Sequence, residues 1–325
     1  MKSVYVSAFI PADIVDPLMS VAAVGMWDGG GPAPRKVLLE HVRGCEGLLS
    51  MLVDTIDAEL LDIAPKLRVI SQMAVGLDNV DLEACQARGV RIGHTPDVLT
   101  ETVADTAFAL MAAVVRRLPE GAAIVRENRW GVWDPWANLG GDLHGSTLGI
   151  VGMGRIGQAI ARRAAGFAMS VVYSSPSEKD LPDGRRLSLD DLLHEADLVV
   201  LAAPLTASTR HLIGTPQLES MKDTSYLINV ARGGLVDTGA LVGALERGLI
   251  AGAALDVTDP EPLPPGHPLL TMENCLIVPH IGSASINARR AMARLAVDNL
   301  IAGLAGTRMP AEFGGGSTVP DPEHR

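Results

Sequence analysis

The chain has 325 residues, 47% of them hydrophobic and 20% charged, the balance of an ordinary globular protein long enough for about two domains. Its 38 acidic and 27 basic residues leave a net charge of −11, which excludes nucleic acid and anionic membrane as general partners. The longest apolar run, Ala107–Val115, is too short to span a bilayer, and Pro11 and Asp13 break up any secretory leader. Cys45, Cys85 and Cys275 are widely spaced and lack metal-ligand spacing, so they read as reduced thiols, and a cytoplasmic location is expected.

Short β-rich runs alternate with Ala-rich helical stretches from end to end. Before residue 100 the predicted strands are Val4–Phe9, Gly47–Leu52, Val69–Met73 and Val90–His94. After residue 145 they are Thr147–Val151, Val171–Ser174, Leu198–Ala202, Tyr226–Val230, Gly252–Val257 and Leu276–Val278, with helix-length segments such as Gln158–Gly166 and Thr238–Arg247 between them. This alternation predicts an α/β protein of two doubly wound domains, each a parallel sheet covered by helices on both faces. Glu101–Leu118 is apolar around most of its circumference, through Val103, Ala104, Ala107, Phe108, Leu110, Met111, Val114, Val115 and Leu118. It reads as a helix buried on several sides, either at a domain or subunit interface or as a core helix. Residues 314–325, with three glycines and two prolines, read as a flexible tail.

The strand Thr147–Val151 runs into Gly152-Met153-Gly154-Arg155-Ile156-Gly157 and then a helix. In a G-x-G-x-x-G loop so placed, the first glycine permits a tight turn and the second lets backbone approach a pyrophosphate. The third lets helix and strand pack closely, with the helix amides facing the anion. A dinucleotide site is expected; the alternative is a purely structural turn. The next strand ends Tyr173-Ser174-Ser175-Pro176-Ser177, with no acid before Glu178. A carboxylate there would select NAD through the ribose hydroxyls, whereas two serine hydroxyls tolerate a 2′-phosphate. NADP is therefore the expected coenzyme, with NAD as the alternative, and Lys179, Arg185 and Arg186 are the cations within reach.

Arg232, Glu261 and His280 follow in the second half, Arg232 and His280 each beyond a predicted strand end. Ligands bind at the carboxyl ends of parallel strands. An arginine there can grip a carboxylate bidentately and polarise a neighbouring carbonyl. A histidine can deliver a proton to a developing alkoxide, and a carboxylate beside it favours the charged ring and fixes its orientation. Taken singly, Arg232 could be a structural ion pair and Glu261 a loop charge. His41, His94, His144, His194, His211, His267 and His324 have no such company and read as surface or structural.

These residues sit in VGLDNVD at 75–81, TPDVLTETVAD at 95–105, GMGRIGQAIARR at 152–163, NVARGGLVD at 229–237, GAALDVTDPEPLP at 252–264 and PHIGSAS at 279–285. On these motifs the chain resembles the D-isomer-specific 2-hydroxyacid dehydrogenases, within them most closely the glyoxylate/hydroxypyruvate reductases. The resemblance implies a Rossmann coenzyme domain, 99–283, inserted into a flavodoxin-like substrate domain, 1–98 plus 284–325, with the active site in the cleft. It implies Arg232 as anchor of the substrate carboxylate, Glu261 as partner of His280, and His280 as proton donor. Val75 and Gly76 would offer backbone N–H groups to the carboxylate, with Ser283 close to it. Ala203, Pro204, Val230, Ala231, Asp256, His280 and Gly282 would join the glycine loop, Ser174 and Ser175 around the coenzyme. The implied activity is reduction of a small 2-oxo acid to the D-2-hydroxy acid by a homodimer. The non-catalytic alternative is a nucleotide-sensing scaffold like the corepressors that share the fold. Trp130, Trp133 and Trp136 lie within seven residues, and the segment is expected either at the active-site entrance of a partner subunit or as a packing cluster at the subunit contact.

Overall fold

The computed structural model describes residues 1–181 and 184–314; all of the expected tail except Gly314 lies outside the described residues. The chain forms two compact units, one from Met1–Leu99 and Ser285–Arg325, the other from Thr100–Ala284.

The first unit runs β1 (Lys2–Val6), α1 (Ala12–Met19), β2 (Ala22–Met26), α2 (Arg35–Val42), β3 (Gly47–Ser50), α3 (Ala58–Ile63), β4 (Val69–Gln72), α4 (Leu82–Ala87) and β5 (Arg91–Gly93). All strands are parallel in the order β2-β1-β3-β4-β5, the doubly wound order of flavodoxin-like sheets. Strand side chains alternate between faces, so both faces must be covered. Tyr5, Leu48 and Ile70 enter one core with Leu38, Leu60 and Cys85, while Val4, Leu49 and Val69 enter the other with Leu18 and Leu300. The second core is closed by the C-terminal helix Ile286–Ala305, capped by Ser285, whose side chain accepts the Ala288 N–H. Fully buried Asn299 on that helix donates to the His94 carbonyl at 3.0 Å and accepts from the Ala311 N–H at 2.9 Å. It thereby holds the chain just after β5 from behind.

The second unit runs α5 (Thr100–Val115), α6 (Leu118–Arg126), β6 (Thr147–Val151), α7 (Arg155–Ala164), β7 (Ser170–Ser174), β8 (Gly184–Arg186), α8 (Leu189–Glu195), β9 (Leu198–Leu201), α9 (Thr215–Ser220), β10 (Tyr226–Asn229), α10 (Thr238–Arg247), β11 (Gly252–Leu255) and β12 (Cys275–Ile277). Its seven parallel strands lie in the order β12-β11-β10-β9-β6-β7-β8, a Rossmann sheet extended by one strand. α8, α9 and α10 cover one face over Val199, Leu201, Leu227 and Leu255. α5 packs against β10, β11 and α7, so within the chain its wide apolar circumference is that of a core helix. Arg162 and Arg163 of α7 pair with Glu101 and Asp105 of α5 at 2.6–2.8 Å, at the surface of that contact.

One predicted boundary and two missed strands need correction. The helix of 101–118 ends at Val115; Arg117 is left-handed at φ 51°, and Leu118-Pro119 opens α6. Proline at 119 lacks the N–H that would bond back to Val115 and favours a helix start, so the chain turns here, and Leu118 leaves the buried stripe and is largely exposed. Strands β2 and β8 were not predicted: both are sheet edges, one Ala- and Gly-containing and the other Gly-Arg-Arg, with little of the β-branched signal that marks a central strand. No helix of the described residues is long and apolar enough to cross a membrane. The three cysteines are free thiols; burial pushes Cys85 up to about 11 and Cys275 up to about 12, leaving both protonated and unreactive at neutral pH.

Candidate active site

In the second unit, the connections from β6 and β9 leave in opposite directions along the sheet, so their carboxyl ends form its topological switch point. Gly152 ends β6 there at φ +100°, and a Cβ on it would lie 2.5 Å from the Ala203 nitrogen just beyond β9. A Cβ on Gly157 would lie 2.2 Å from the Gly152 carbonyl oxygen, so α7 can start this close to β6 only with glycine at that position. Gly154 is different. A Cβ there would meet nothing within 4 Å, and as the N-cap of α7 it has no side-chain cap. Two glycines are thus demanded by protein contacts and the third opens onto free space in front of a helix N-terminus, the arrangement a pyrophosphate requires. Met153, Arg155 and Ile156 complete the loop.

At the tip of β7, Ser174 accepts the Gly152 N–H through its carbonyl at 2.9 Å. Parallel pairing of β7 with β8 sets Arg186 opposite Tyr173, and the Arg186 guanidinium donates to the carbonyls of Ser175 at 3.0 Å and Pro176 at 2.8 Å. Of the three cations considered from the sequence, Arg186 is therefore held at the serine pair, whereas Arg185 is paired with Glu195. Pro204, just beyond β9, is held by the Thr209 hydroxyl at 2.7 Å.

Three neighbouring strands each carry one charged residue of the predicted site. After β10, Asn229 folds the turn by accepting the Ala231 N–H and donating to the Arg232 carbonyl, with Val230 buried beneath. After β11, Glu261 accepts the Thr258 N–H at 3.3 Å. After β12, His280 Nδ1 lies 2.6 Å from Glu261 Oε1. A carboxylate offers no proton in this contact, so Nδ1 donates and Nε2 is left to face a reactant. Burial pushes the Glu261 carboxyl up, but the His280 hydrogen bond and charge, the Thr258 amide and the Arg232 charge outweigh it and hold it below the usual carboxylate range. The fold brings Arg232, Glu261 and His280 into one electrostatic unit.

Asp256 does more than the sequence suggested. Its two carboxylate oxygens accept the Ile281 and Gly282 N–H groups at 2.6 and 2.9 Å, and its carbonyl accepts the His280 N–H at 2.9 Å. Burial raises its pKa, opposed by those amides and the His280 charge. This grip holds His280 at φ +53°, a region non-glycine residues rarely occupy, and a Cβ on Gly282 would lie 2.6 Å from Asp256 Oδ2. Ser283 follows, nearly buried.

In the first unit, Val75 and Gly76 follow β4 in a loop with three successive carbonyls held. Ala74 accepts the Thr95 N–H at 2.9 Å, Val75 accepts His94 Nδ1 at 3.0 Å, and Gly76 accepts Gln72 Nε2 at 3.0 Å. Gln72 also bonds Asn79, which donates to the Met51 and Asp54 carbonyls. Sequence reading named the two backbone positions and none of these holders. The separation of 19 positions between Val75 and His94 gives no periodic signal, and only the pairing of β4 with β5 brings them together. No cluster of potential metal ligands occurs among the described residues.

The family model for the D-isomer specific 2-hydroxyacid dehydrogenase NAD binding domain matches residues 108–282. A glyoxylate reductase of Korarchaeum cryptofilum is 47% identical over 305 residues, 92% of each chain, and one of Pyrococcus horikoshii is 46% identical over 308 residues, again 92% of each. Among solved structures, a Thermus thermophilus protein superposes with a TM-score of 0.91 at 50% identity, covering 95% of this chain and 99% of its own. The NADPH-dependent glyoxylate/hydroxypyruvate reductase of Sinorhizobium meliloti, in complex with NADP and malonate, reaches 0.86 at 33% identity with 96% coverage of each chain. With the glycine cradle, the Rossmann strand order and these matches together, the chain belongs to the D-isomer-specific 2-hydroxyacid dehydrogenases and is an NAD(P)-dependent enzyme of that family.

Proposed function

We propose that the enzyme reduces small 2-oxo acids, glyoxylate and hydroxypyruvate foremost, to D-2-hydroxy acids. The observation that carries this reading is the 2.6 Å contact between His280 and Glu261, with the Arg232 charge acting on the same carboxylate. The loop of Gly152, Gly154 and Gly157 would hold the coenzyme, which when bound would supply the hydride. Arg232 pairs with the substrate carboxylate and polarises the carbonyl beside it. His280 holds a proton on Nε2 and gives it to the carbonyl oxygen as negative charge develops there. Glu261 accepts the Nδ1 proton and keeps the ring oriented. Val75 and Gly76 offer their amides to the carboxylate. The likeness to glyoxylate reductases over 92% of each chain supports the substrate class.

The coenzyme of choice is NADPH. Ser174 and Ser175 present no carboxylate to a 2′-phosphate, and Arg186 brings a guanidinium to the same tip. Trp130, Trp133 and Trp136, at 78%, 81% and 80% exposure, and Val132 between them, leave four large apolar side chains of one segment uncovered in a single chain. A second copy of the chain covers them in a homodimer.

Three outcomes follow. Glyoxylate-dependent loss of reduced-coenzyme absorbance gives a higher kcat/KM with NADPH than with NADH, and Arg186→Ala narrows the gap; the reverse ranking in the unaltered enzyme rejects the NADP assignment. In Glu261→Gln reductive turnover falls about tenfold or more, because the negative charge that holds the His280 ring is gone while the side chain's shape remains; unchanged turnover means Glu261 does not act on His280. Sedimentation velocity returns twice the chain mass, and Trp133→Ser combined with Trp136→Ser shifts the protein toward monomer; a monomeric unaltered protein contradicts the dimer.

A further inference from the structure

Glycine lacks a Cβ to hold its backbone, yet Gly76 is held on both sides by side chains. In a trans peptide the C=O and the following N–H point in opposite directions, so an acceptor contact on the carbonyl fixes where the amide faces. The plane between Val75 and Gly76 is clamped by His94 Nδ1 on the Val75 carbonyl, and the plane between Gly76 and Leu77 by Gln72 Nε2 on the Gly76 carbonyl. The plane before them is clamped by the Thr95 N–H on the Ala74 carbonyl. Among the described residues neither the Val75 nor the Gly76 amide has a hydrogen-bond acceptor, and Val75 is exposed.

The two side-chain clamps are themselves anchored. Gln72 is fully buried and accepts from the Ser50 hydroxyl at 3.1 Å while donating to Asn79 Oδ1 at 2.5 Å. Asn79 Nδ2 reaches the Asp54 carbonyl at 2.6 Å, and the buried Asp54 carboxylate accepts the Met51 N–H at 2.7 Å and the Ser7 hydroxyl. One chain of buried hydrogen bonds therefore joins the carboxyl ends of β1, β3 and β4. On the other side, His94 is fixed through its main chain: its N–H donates to Ala311 at 3.1 Å and its carbonyl accepts from Asn299. Its ring stands edge-on to Phe313. Because a carbonyl can only accept, Nδ1 carries the proton in this contact.

We propose that His94 is a positioning residue that turns the Gly76 amide outward, beside the Val75 amide that the Thr95 N–H fixes through the Ala74 carbonyl, with Gln72 holding the next peptide, so that the two amides form a rigid two-point cradle for the substrate carboxylate. This rests on the 2-oxo acid reading above and assigns to His94 a role beyond a structural surface histidine. Its contribution is preorganisation: without the clamp, the glycine peptide must be ordered each time the anion binds. The main-chain contacts of residue 94 survive substitution of the ring, so the clamp can be removed without dismantling β5 and its surroundings.

With NADPH and glyoxylate, His94→Ala raises the KM for glyoxylate roughly tenfold, the worth of one hydrogen bond, with kcat and the KM for NADPH little changed. His94→Asn, whose Nδ2 can stand where the ring Nδ1 does, restores most of the loss. Calorimetric titration with oxalate reads the same cradle without turnover: the unaltered protein and His94→Asn bind it, and His94→Ala binds it roughly tenfold more weakly. An unchanged glyoxylate KM and unchanged oxalate affinity in His94→Ala overturn the clamp, as does equal loss in the Ala and Asn variants. If glyoxylate is not reduced by the unaltered enzyme while oxalate binding still follows residue 94, the substrate reading falls and the clamp stands.

Discussion

The contact between His280 Nδ1 and Glu261 Oε1, 2.6 Å long, is the interaction around which the second unit is arranged. It depends on three strands being neighbours. β10, β11 and β12 lie side by side and parallel, so the loops that follow them leave the same edge of the sheet. Each loop then delivers one charge: Arg232, Glu261, His280. Residues 29 and 19 positions apart in sequence are brought together by strand order. Asp256 sets the final placement, spending both carboxylate oxygens on the amides that follow His280. A buried carboxylate with two short amide contacts can hold a histidine in left-handed backbone, where a solvated loop would relax.

The coenzyme end of the same sheet is governed by close approach instead of charge. Gly152 and Gly157 are fixed by contacts of 2.5 and 2.2 Å that no side chain could share, and these bring β6, the β9 terminus and α7 together. Gly154 has no such obligation to the protein and leaves room in front of the helix amides. The first unit follows a third logic: tethered carbonyls on the loop after β4, held by the buried Gln72 amide and the His94 ring. A net charge of −11 is no bar to binding an anion, because fixed backbone dipoles and one or two placed cations act locally while net charge acts at long range.

Much of this was legible in the sequence, and the reasons are physical. Thr147–Val151 and Thr238–Arg247 have the bounds read from their patterns, since a central parallel strand is continuously apolar and a capped helix announces its ends with Asp237 and Gly248. The glycine loop was readable because each glycine answers a separate steric demand. Edge strands β2 and β8 escaped, being short and only half buried. The break at Leu118-Pro119 was hidden by an apolar pattern that continues past it. The holders of the site, Asp256 toward the loop of His280, and Gln72, Asn79 and His94 toward Val75 and Gly76, act through backbone groups. A hydrogen bond to a carbonyl leaves no trace in residue type at the receiving end, so only the folded chain shows it.

The claim on which the rest turns is that His280 gives up a proton at the reacting carbonyl. His280→Asn keeps the size and polarity of the side chain and removes the titrating nitrogen. Reduction of glyoxylate by NADPH should then lose about 10²–10⁴ of kcat, the usual contribution of a general acid, while NADPH affinity measured by fluorescence titration stays as it was. An unchanged kcat with that affinity intact would contradict the account.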